Sequence, residues 1–168
     1  VDTNDEWIST RTGIRTRHVA AGEDTALMAE RAARPALEMA GVKPEEIDLL
    51  ICTTVTPDLY TPSLACVVQG LLGIGHAFAF DVSAACSGFV FALDIVQKYL
   101  AAGIVKTALI ISAEALTRIT DFTDRASCVL FGDGAGACVV RAGEGRYAAH
   151  LCSDGSGVSM LYAGTSYP

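Results

Sequence analysis

The sequence predicts an α/β fold: one layered domain built around a mixed, mostly parallel sheet. Hydrophobic residues make up 51% of the chain and charged residues only 18%, a balance typical of strands that are covered on both faces. Short apolar runs also alternate with longer segments of helical periodicity, and that order gives crossovers between parallel strands. A length of 168 residues suits a single domain with a sizeable core.

The first predicted helix is "ALMAERAARPALEMAG", which follows Asp24 and Thr25. Asp24-Thr25 is a suitable N-cap, and Gly41 is a typical C-terminal stop. Pro35 lies in the interior of this segment. Because proline removes a backbone donor, we expect it to kink or divide the helix.

Two strands and a second helix follow. "IDLLICTTV" and "HAFAFDVS" are short apolar runs and predict buried strands. Between them, "PSLACVVQGLLG" predicts a helix that has Pro62 in its first turn and ends at Gly73. A third helix is expected from about Cys86 to Ala102, and "KTALIISAE" predicts a further strand.

The segment "ASCVLFGDGAGACVVRA" predicts a hairpin of two short strands around a glycine-rich turn, added to the same sheet. Glycine-rich turns can also hold phosphates, but such a loop needs a helix N-terminus after the glycines. Here the β-branched run "CVVRA" follows instead. We therefore predict no nucleotide site at this turn.

Charge and hydropathy restrict the possible partners. A net charge of −7 argues against nucleic-acid binding, which needs a broadly basic surface. The apolar runs are broken by Asp81, Asp94 and Lys106 and fall short of the roughly 18 to 20 residues of a membrane span. No secretion signal is recognisable. We expect a soluble, cytoplasmic protein.

A local exception to the acidic charge is "RTGIRTRH", with Arg11, Arg15, Arg17 and His18. Taken alone, such a cluster is usually only a solvated surface.

The six cysteines form no CxxC pair and lie at no zinc-finger spacing to the three histidines. We expect no metal ion and no resident cofactor. Most of the cysteines lie in apolar runs, where a free cysteine acts as a small buried hydrophobe.

Cys86 differs from the others in its position at the start of a predicted helix. Unpaired N–H groups and the positive end of the helix dipole favour a thiolate there. Ala84 and Ala85 before it leave room for a carbonyl carbon, and Gly88 would let the backbone approach a substrate. The N–H of Cys86 itself could stabilise an oxyanion. A nucleophile and a packed cysteine both remain compatible with these residues.

Three motifs, in order, resemble the β-ketoacyl-acyl-carrier-protein synthase III family. They are "DEWISTRTGIR" (5–15), "DVSAACSGFVFAL" (81–93) and "TDRASCVLFGDGAGA" (123–137). The resemblance covers essentially the whole chain. It implies a thiolase-like fold of two similar α/β halves, of which residues 1–168 form the first, while the family's first strand and its C-terminal half lie outside this sequence.

The resemblance also implies the chemistry. Cys86 maps onto the nucleophile that takes an acyl group from acyl-coenzyme A, with acetyl-coenzyme A as the expected primer. Decarboxylation of malonyl-acyl-carrier-protein then gives the carbanion that attacks the thioester, which initiates fatty acid synthesis. The histidine and asparagine that assist decarboxylation belong to the second half, so we expect residues 1–168 alone to be inactive. A homodimer is expected.

The same resemblance assigns the binding residues. Trp7 and Arg125 map onto the pair that sandwiches the adenine of coenzyme A, and Thr3 and Arg11 onto neighbouring contacts. Without the resemblance, Trp7 could be a core plug and Arg125 could be ion-paired with Asp124.

Thr61 maps onto the segment that reaches across the dimer to wall the acyl pocket. A bulkier aromatic residue often stands there in acetyl-selective members, so a threonine predicts room for longer primers. Alternatively, Thr61 only shapes the turn before Pro62.

Two other functions remain compatible with the sequence. One is a related synthase of a polyketide or another specialised product. The other is a non-catalytic half that only pairs with a partner.

Overall fold

The computed structural model describes residues 1–164. Its α-helices are α1 (Asp5–Thr12), α2 (Thr25–Ala40), α3 (Leu64–Leu72), α4 (Gly88–Ala101) and α5 (Arg125–Cys128). The strands are β1 (Leu49–Thr53), β2 (Phe78–Val82), β3 (Thr107–Ala115) and β4 (Asp133–Arg141). Short 3-10 turns lie at Pro44–Glu46, Ala85–Ser87, Leu116–Arg118 and Gly155–Gly157.

The four strands form one sheet in the order β2-β1-β3-β4. β1 is parallel to both of its neighbours, whereas β4 runs antiparallel to β3 along its whole length. The prediction of a mixed, mostly parallel sheet is confirmed.

Helices cover both faces of the sheet. α2 and α3 pack on one face, where Ala29, Ala33 and Val68 are fully buried. α4 packs on the other face through Ala92 and Val96. All five residues of β1 are buried, which explains why its sequence is a continuous apolar run rather than an alternating one.

α2 is continuous through Pro35, so the predicted division of this helix is wrong. The flanking residues Ala33 and Leu37 are both buried against the core, and this packing offsets the backbone hydrogen bond that the proline cannot make. The predicted caps are confirmed: the Asp24 side chain accepts from the Leu27 N–H at 2.7 Å, and Gly41 adopts a left-handed φ of 61°.

The predicted hairpin is also wrong. Its first half contains the short helix α5, and its glycine-rich part lies within β4, which pairs with β3 over nine residues from Asp133 to Arg141. Gly134 and Gly136 do not have positive φ angles, so these glycines are extended strand residues and do not form a turn. The sequence pattern does not distinguish a hairpin from one continuous strand here, because both place short apolar runs next to glycine.

Candidate active site

Cys86 lies in the 3-10 turn Ala85–Ser87, between the end of β2 and the start of α4. Its side chain is exposed. The turn follows the carboxyl end of a parallel strand, the edge at which open α/β sheets bind their ligands. The prediction that a helix begins near Cys86 is confirmed, with the α-helix proper starting two residues later at Gly88.

The backbone next to Cys86 is strained. Ala85 has a φ of 45°, and among the described residues it is the one non-glycine residue with a positive φ. This conformation costs an alanine about 1–2 kcal/mol. Strain of this kind is concentrated at functional sites, where the surrounding structure holds it in place. At this turn the strained residue directly precedes Cys86.

Gly88 fixes the distance between this turn and the sheet. A Cβ atom added to Gly88 would lie 2.9 Å from Thr53 Cβ and 3.1 Å from Thr53 Oγ1. Thr53 itself ends β1 and donates to Ser112 Oγ at 2.8 Å. The missing side chain of Gly88 thus lets α4 contact the sheet.

Trp7, Arg11 and Arg125 come together although Arg125 is far from the other two in sequence. The Cζ atom of Arg125 lies 4.2 Å from the centroid of the Trp7 ring, and that of Arg11 lies 4.4 Å from it. These are cation–π distances. Because α1 has no buried residue, Trp7 is not a core plug.

Asp124 does not need Arg125 as a partner. Its carboxylate caps α5 by accepting from the Ala126 N–H at 2.9 Å and from the Ser127 hydroxyl at 2.6 Å. These hydrogen bonds, the one from Ser127 first, lower the pKa of Asp124. The Arg125 guanidinium is therefore available to the indole ring.

Sequence reasoning did not predict α1, the helix that carries Trp7. Its signals are present: Asn4 accepts from the Trp7 N–H at 2.8 Å as N-cap, acidic residues occupy the first turn, and Gly13 ends the helix with a φ of 74°. The helix has no buried face and therefore no apolar stripe, so hydrophobic periodicity does not predict it.

Asp133 holds the segment after α1 beside the start of β4. Its carboxylate accepts from the Ala20 N–H at 2.8 Å and from both the N–H and the hydroxyl of Thr117. Its own N–H donates to the His18 carbonyl at 2.8 Å. Burial raises the pKa of Asp133, but the hydrogen bonds from Ala20 and Thr117 outweigh it, and the pKa is lowered overall. A side-chain hydrogen bond from Arg17 to the Val129 carbonyl adds a second link.

Thr3 lies one residue before the N-cap of α1. Its hydroxyl oxygen is buried and has no hydrogen-bond partner among residues 1–164. Buried polar atoms are rarely left in this state.

Thr61 lies in an exposed segment, residues 59–63, that we call the strap. The strap joins the loop after β1 to α3, so it lies at the same edge of the sheet as Cys86. Tyr60 is fully exposed and Leu59 is 51% exposed. The N-cap of α3 is Ser63, so Pro62 precedes the helix and is not in its first turn as predicted.

The other cysteines differ in burial. Cys52 is buried, and Cys128 and Cys138 are partly buried. Burial raises the pKa of Cys52 and of Cys138, which disfavours their thiolates. Cys66 and Cys152 are exposed, so the expectation of packed cysteines is wrong for these two.

No three His, Cys, Asp or Glu side chains within residues 1–164 are grouped closely enough to hold a metal ion. None of the helices within that part of the chain has the length and hydropathy needed to cross a membrane.

The sequence model of 3-oxoacyl-[acyl-carrier-protein (ACP)] synthase III matches residues 80–155, which include Cys86 and Arg125. The beta-ketoacyl-[acyl-carrier-protein] synthase III of Clostridium acetobutylicum is 49% identical over 164 residues, which are 96% of this chain and 50% of that protein. The chain belongs to the 3-oxoacyl-[acyl-carrier-protein] synthase III family.

Solved structures agree with this membership. The synthase III structure from Thermus thermophilus superposes with a TM-score of 0.88 at 42% identity, covering 96% of this chain and 51% of that one. The priming beta-ketosynthase of the R1128 polyketide biosynthetic pathway gives 0.81 at 44% identity, covering 84% and 43%. The predicted thiolase-like fold is confirmed, and the chain spans about half the length of the curated relatives it matches.

The contact between Gly88 and Thr53 leads to a prediction. Replacing Gly88 with alanine should displace the start of α4 and lower the free energy of unfolding by about 1–3 kcal/mol, because a packed site is overfilled. Gly88 has ordinary helical angles, so the added methyl group is the cause. Urea unfolding of the full-length protein measures the change.

Gly70→Ala is the matched control, since it also adds a methyl group to a helical glycine. A Cβ at Gly70 meets nothing within 4 Å, and the change should stabilise α3 by up to about 1 kcal/mol. Equal effects of the two substitutions would contradict the role given to Thr53.

Proposed function

We propose that the full-length protein is a synthase that condenses an acyl-coenzyme A primer with malonyl-acyl-carrier-protein through a thioester on Cys86, and so initiates fatty acid synthesis. The observation that carries the proposal is a free cysteine in a strained turn at the carboxyl end of a parallel strand. The names of the relatives support the choice of reaction.

In the first half-reaction the Cys86 sulfur attacks the thioester carbonyl carbon of the primer. A new C–S bond forms, the bond to coenzyme A breaks, and the coenzyme leaves as a thiol with the proton that Cys86 loses. The Cys86 N–H is a candidate donor to the oxyanion that develops.

In the second half-reaction the malonyl group loses carbon dioxide, and the electron pair left behind attacks the carbonyl carbon of acyl-Cys86. The new C–C bond forms as Cys86 leaves again as a thiolate. We assign the histidine and asparagine that assist this step to the half of the protein beyond these residues.

The coenzyme site is proposed to consist of Thr3, Trp7, Arg11 and Arg125. Arg125 now lies in direct contact with the indole ring at 4.2 Å, so an adenine can enter the sandwich only if the guanidinium moves away from Trp7. The interaction that Arg125 loses with the indole is replaced by a similar one with the base. Arg11 adds a positive charge where the phosphates of the coenzyme need one.

The strap is proposed to wall an acyl pocket with Thr61, as part of a homodimer. Threonine is smaller than an aromatic residue and leaves space for a longer primer. Each further methylene group of the primer that is buried there contributes up to about 0.8 kcal/mol to binding. The full-length protein is therefore expected to accept primers longer than acetyl.

Residues 1–168 are proposed to be the first of two halves and to be inactive alone. α4 supports this because its first turns carry large apolar side chains that the described residues leave uncovered, with Phe89 42% and Val90 50% exposed. Apolar surface of this kind normally has a partner. We place the protein in the cytoplasm, with no nucleic-acid or membrane partner.

A second candidate is the priming synthase of a specialised pathway. The 44% identity to the priming beta-ketosynthase of a polyketide pathway favours it. The reaction steps at Cys86 would be the same, and the carrier protein that accepts the product would differ.

The proposal predicts that acetyl-coenzyme A acetylates Cys86 alone among the six cysteines of this chain. Intact mass and peptide mapping of the full-length protein measure this. Cys86→Ala should abolish the label, whereas the control Cys66→Ala, which also removes an exposed cysteine, should keep it. Label on Cys66 or Cys152, or acetylation that survives Cys86→Ala, would disprove the assignment.

The coenzyme site predicts that Trp7→Ala and Arg125→Ala each weaken use of acyl-coenzyme A by about 1–3 kcal/mol, because a stacking or charged contact is lost. Steady-state kcat/KM measures the loss. The arginine effect should shrink as salt rises. Arg141→Ala is the control: this exposed arginine pairs with Glu46 at 3.4 Å, and its removal should leave kcat/KM unchanged. Unchanged kinetics in both site variants would contradict the assignment.

A further inference from the structure

Both ends of the strap are held by carboxylates that bind the first N–H groups of a helix. At its C-terminal end, Asp81 of β2 accepts from the Leu64 N–H at 2.7 Å and from the Ala65 N–H at 2.8 Å. β2 is the strand that leads into the Cys86 turn. The strap and the nucleophile are therefore attached to one strand.

At the N-terminal end, Asp58 accepts from the Thr25 N–H at 2.9 Å and from the Ala26 N–H at 2.8 Å. These two residues begin α2. The Arg118 guanidinium donates to the same carboxylate at 2.6 Å and, through its other terminal nitrogen, to the Glu23 carbonyl at 3.0 Å. One arginine thus connects the start of the strap to the segment that precedes α2.

The anchor formed by Asp58 and Arg118 is partly exposed to solvent. The side chain of Arg118 is 42% exposed and that of Asp58 is 21% exposed. Burial raises the pKa of Asp58, but the hydrogen bonds from Arg118, Thr25 and Ala26 lower it further, so that the carboxylate is charged at neutral pH. The Asp58–Arg118 pair is accessible to ions, and salt weakens it.

The strap has space beneath it in which to move. A cavity of about 180 Å³ lies between the strap and the helices α2 and α3. Its lining includes Leu59 and Pro62 of the strap, Ala26 of α2 and Val67 of α3. A segment that is fixed at its ends and loosely packed along its length takes its position from its anchors.

We propose that the Asp58–Arg118 ion pair positions the strap and thereby sets how strongly the enzyme discriminates between acyl primers of different length. This inference rests on the proposed function, in which Thr61 of the strap walls the acyl pocket. Asp58 and Arg118 are positioning residues: they act through the strap and do not touch the acyl chain.

The test is kcat/KM of the full-length protein for acetyl-, butyryl-, hexanoyl- and octanoyl-coenzyme A. Because all four primers share the coenzyme, the ratio of octanoyl to acetyl isolates the acyl pocket. Arg118→Ala and Asp58→Asn should each shift this ratio in the same direction by about fivefold, the factor that corresponds to losing an exposed ion pair. The double variant should shift it no further, since the two residues act as one unit.

Three further measurements separate positioning from general damage. Arg118→Lys keeps the charge, but lysine lacks the planar guanidinium that binds Asp58 and the Glu23 carbonyl at once. The octanoyl-to-acetyl ratio of this variant should therefore lie between those of the wild type and Arg118→Ala. High salt should move the wild-type ratio toward that of Arg118→Ala and leave the variant unaffected. Arg141→Ala, which removes a similarly exposed ion-paired arginine elsewhere, should not change the ratio.

Thr61→Phe distinguishes failure of this inference from failure of the acyl-pocket assignment. It should narrow the profile toward acetyl. If it does so while Arg118→Ala and Asp58→Asn leave the ratio unchanged, the positioning role is wrong and the pocket stands. If none of the three changes the ratio, both are wrong, and acetylation of Cys86 still tests the reaction by itself.

Discussion

The close approach of Gly88 to Thr53 is the contact on which the position of the candidate nucleophile depends. It brings the first residue of α4 against the last residue of β1, where any side chain would collide. The Cys86 turn lies directly before that contact, and the strain at Ala85 is confined to it. A packed glycine on one side and a strained alanine on the other thus fix the course of the backbone through Cys86.

The other parts of the candidate site are attached to the same sheet by carboxylates. Asp81 binds the start of α3, and Asp133 binds the segment that follows α1. Each carboxylate gives partners to backbone N–H groups that would otherwise lack them. The strap and the N-terminal segment are thus connected to the sheet by hydrogen bonds to carboxylates, which are stronger than neutral hydrogen bonds.

Most of the sheet could be predicted from the sequence because its central strands are buried on both faces. β1 and β3 are short apolar runs that lie between longer helical segments, and their short length favours a buried strand over a helix. α1 was not predicted because it has no buried face. β4 was predicted only as part of a hairpin, because its glycines suggest a turn although they extend the strand. Local pattern does not reveal an element whose stability comes from partners distant in sequence.

Some residues of the candidate site could likewise be predicted from the sequence, and others could not. Cys86 could be identified as special from its neighbours alone, whereas the meeting of Trp7 with Arg125 depends on tertiary links through Asp133 and Arg17. The collision that keeps Gly88 a glycine could not be foreseen either, because it needs the register between α4 and β1. Asp58 and Arg118 gave no sequence signal, since each is an ordinary charged residue in a loop.

The central claim is that the thioester on Cys86 is an intermediate and not a side product. The direct measurement is a single-turnover experiment with full-length protein acetylated on Cys86 and freed of coenzyme A, mixed with malonyl-acyl-carrier-protein. Loss of acetyl from the Cys86 peptide should match, one for one and at the same rate, the appearance of 3-ketobutyryl-carrier-protein and carbon dioxide. Acetyl that stays on Cys86 while product forms, or that is lost to water without product, would contradict the account.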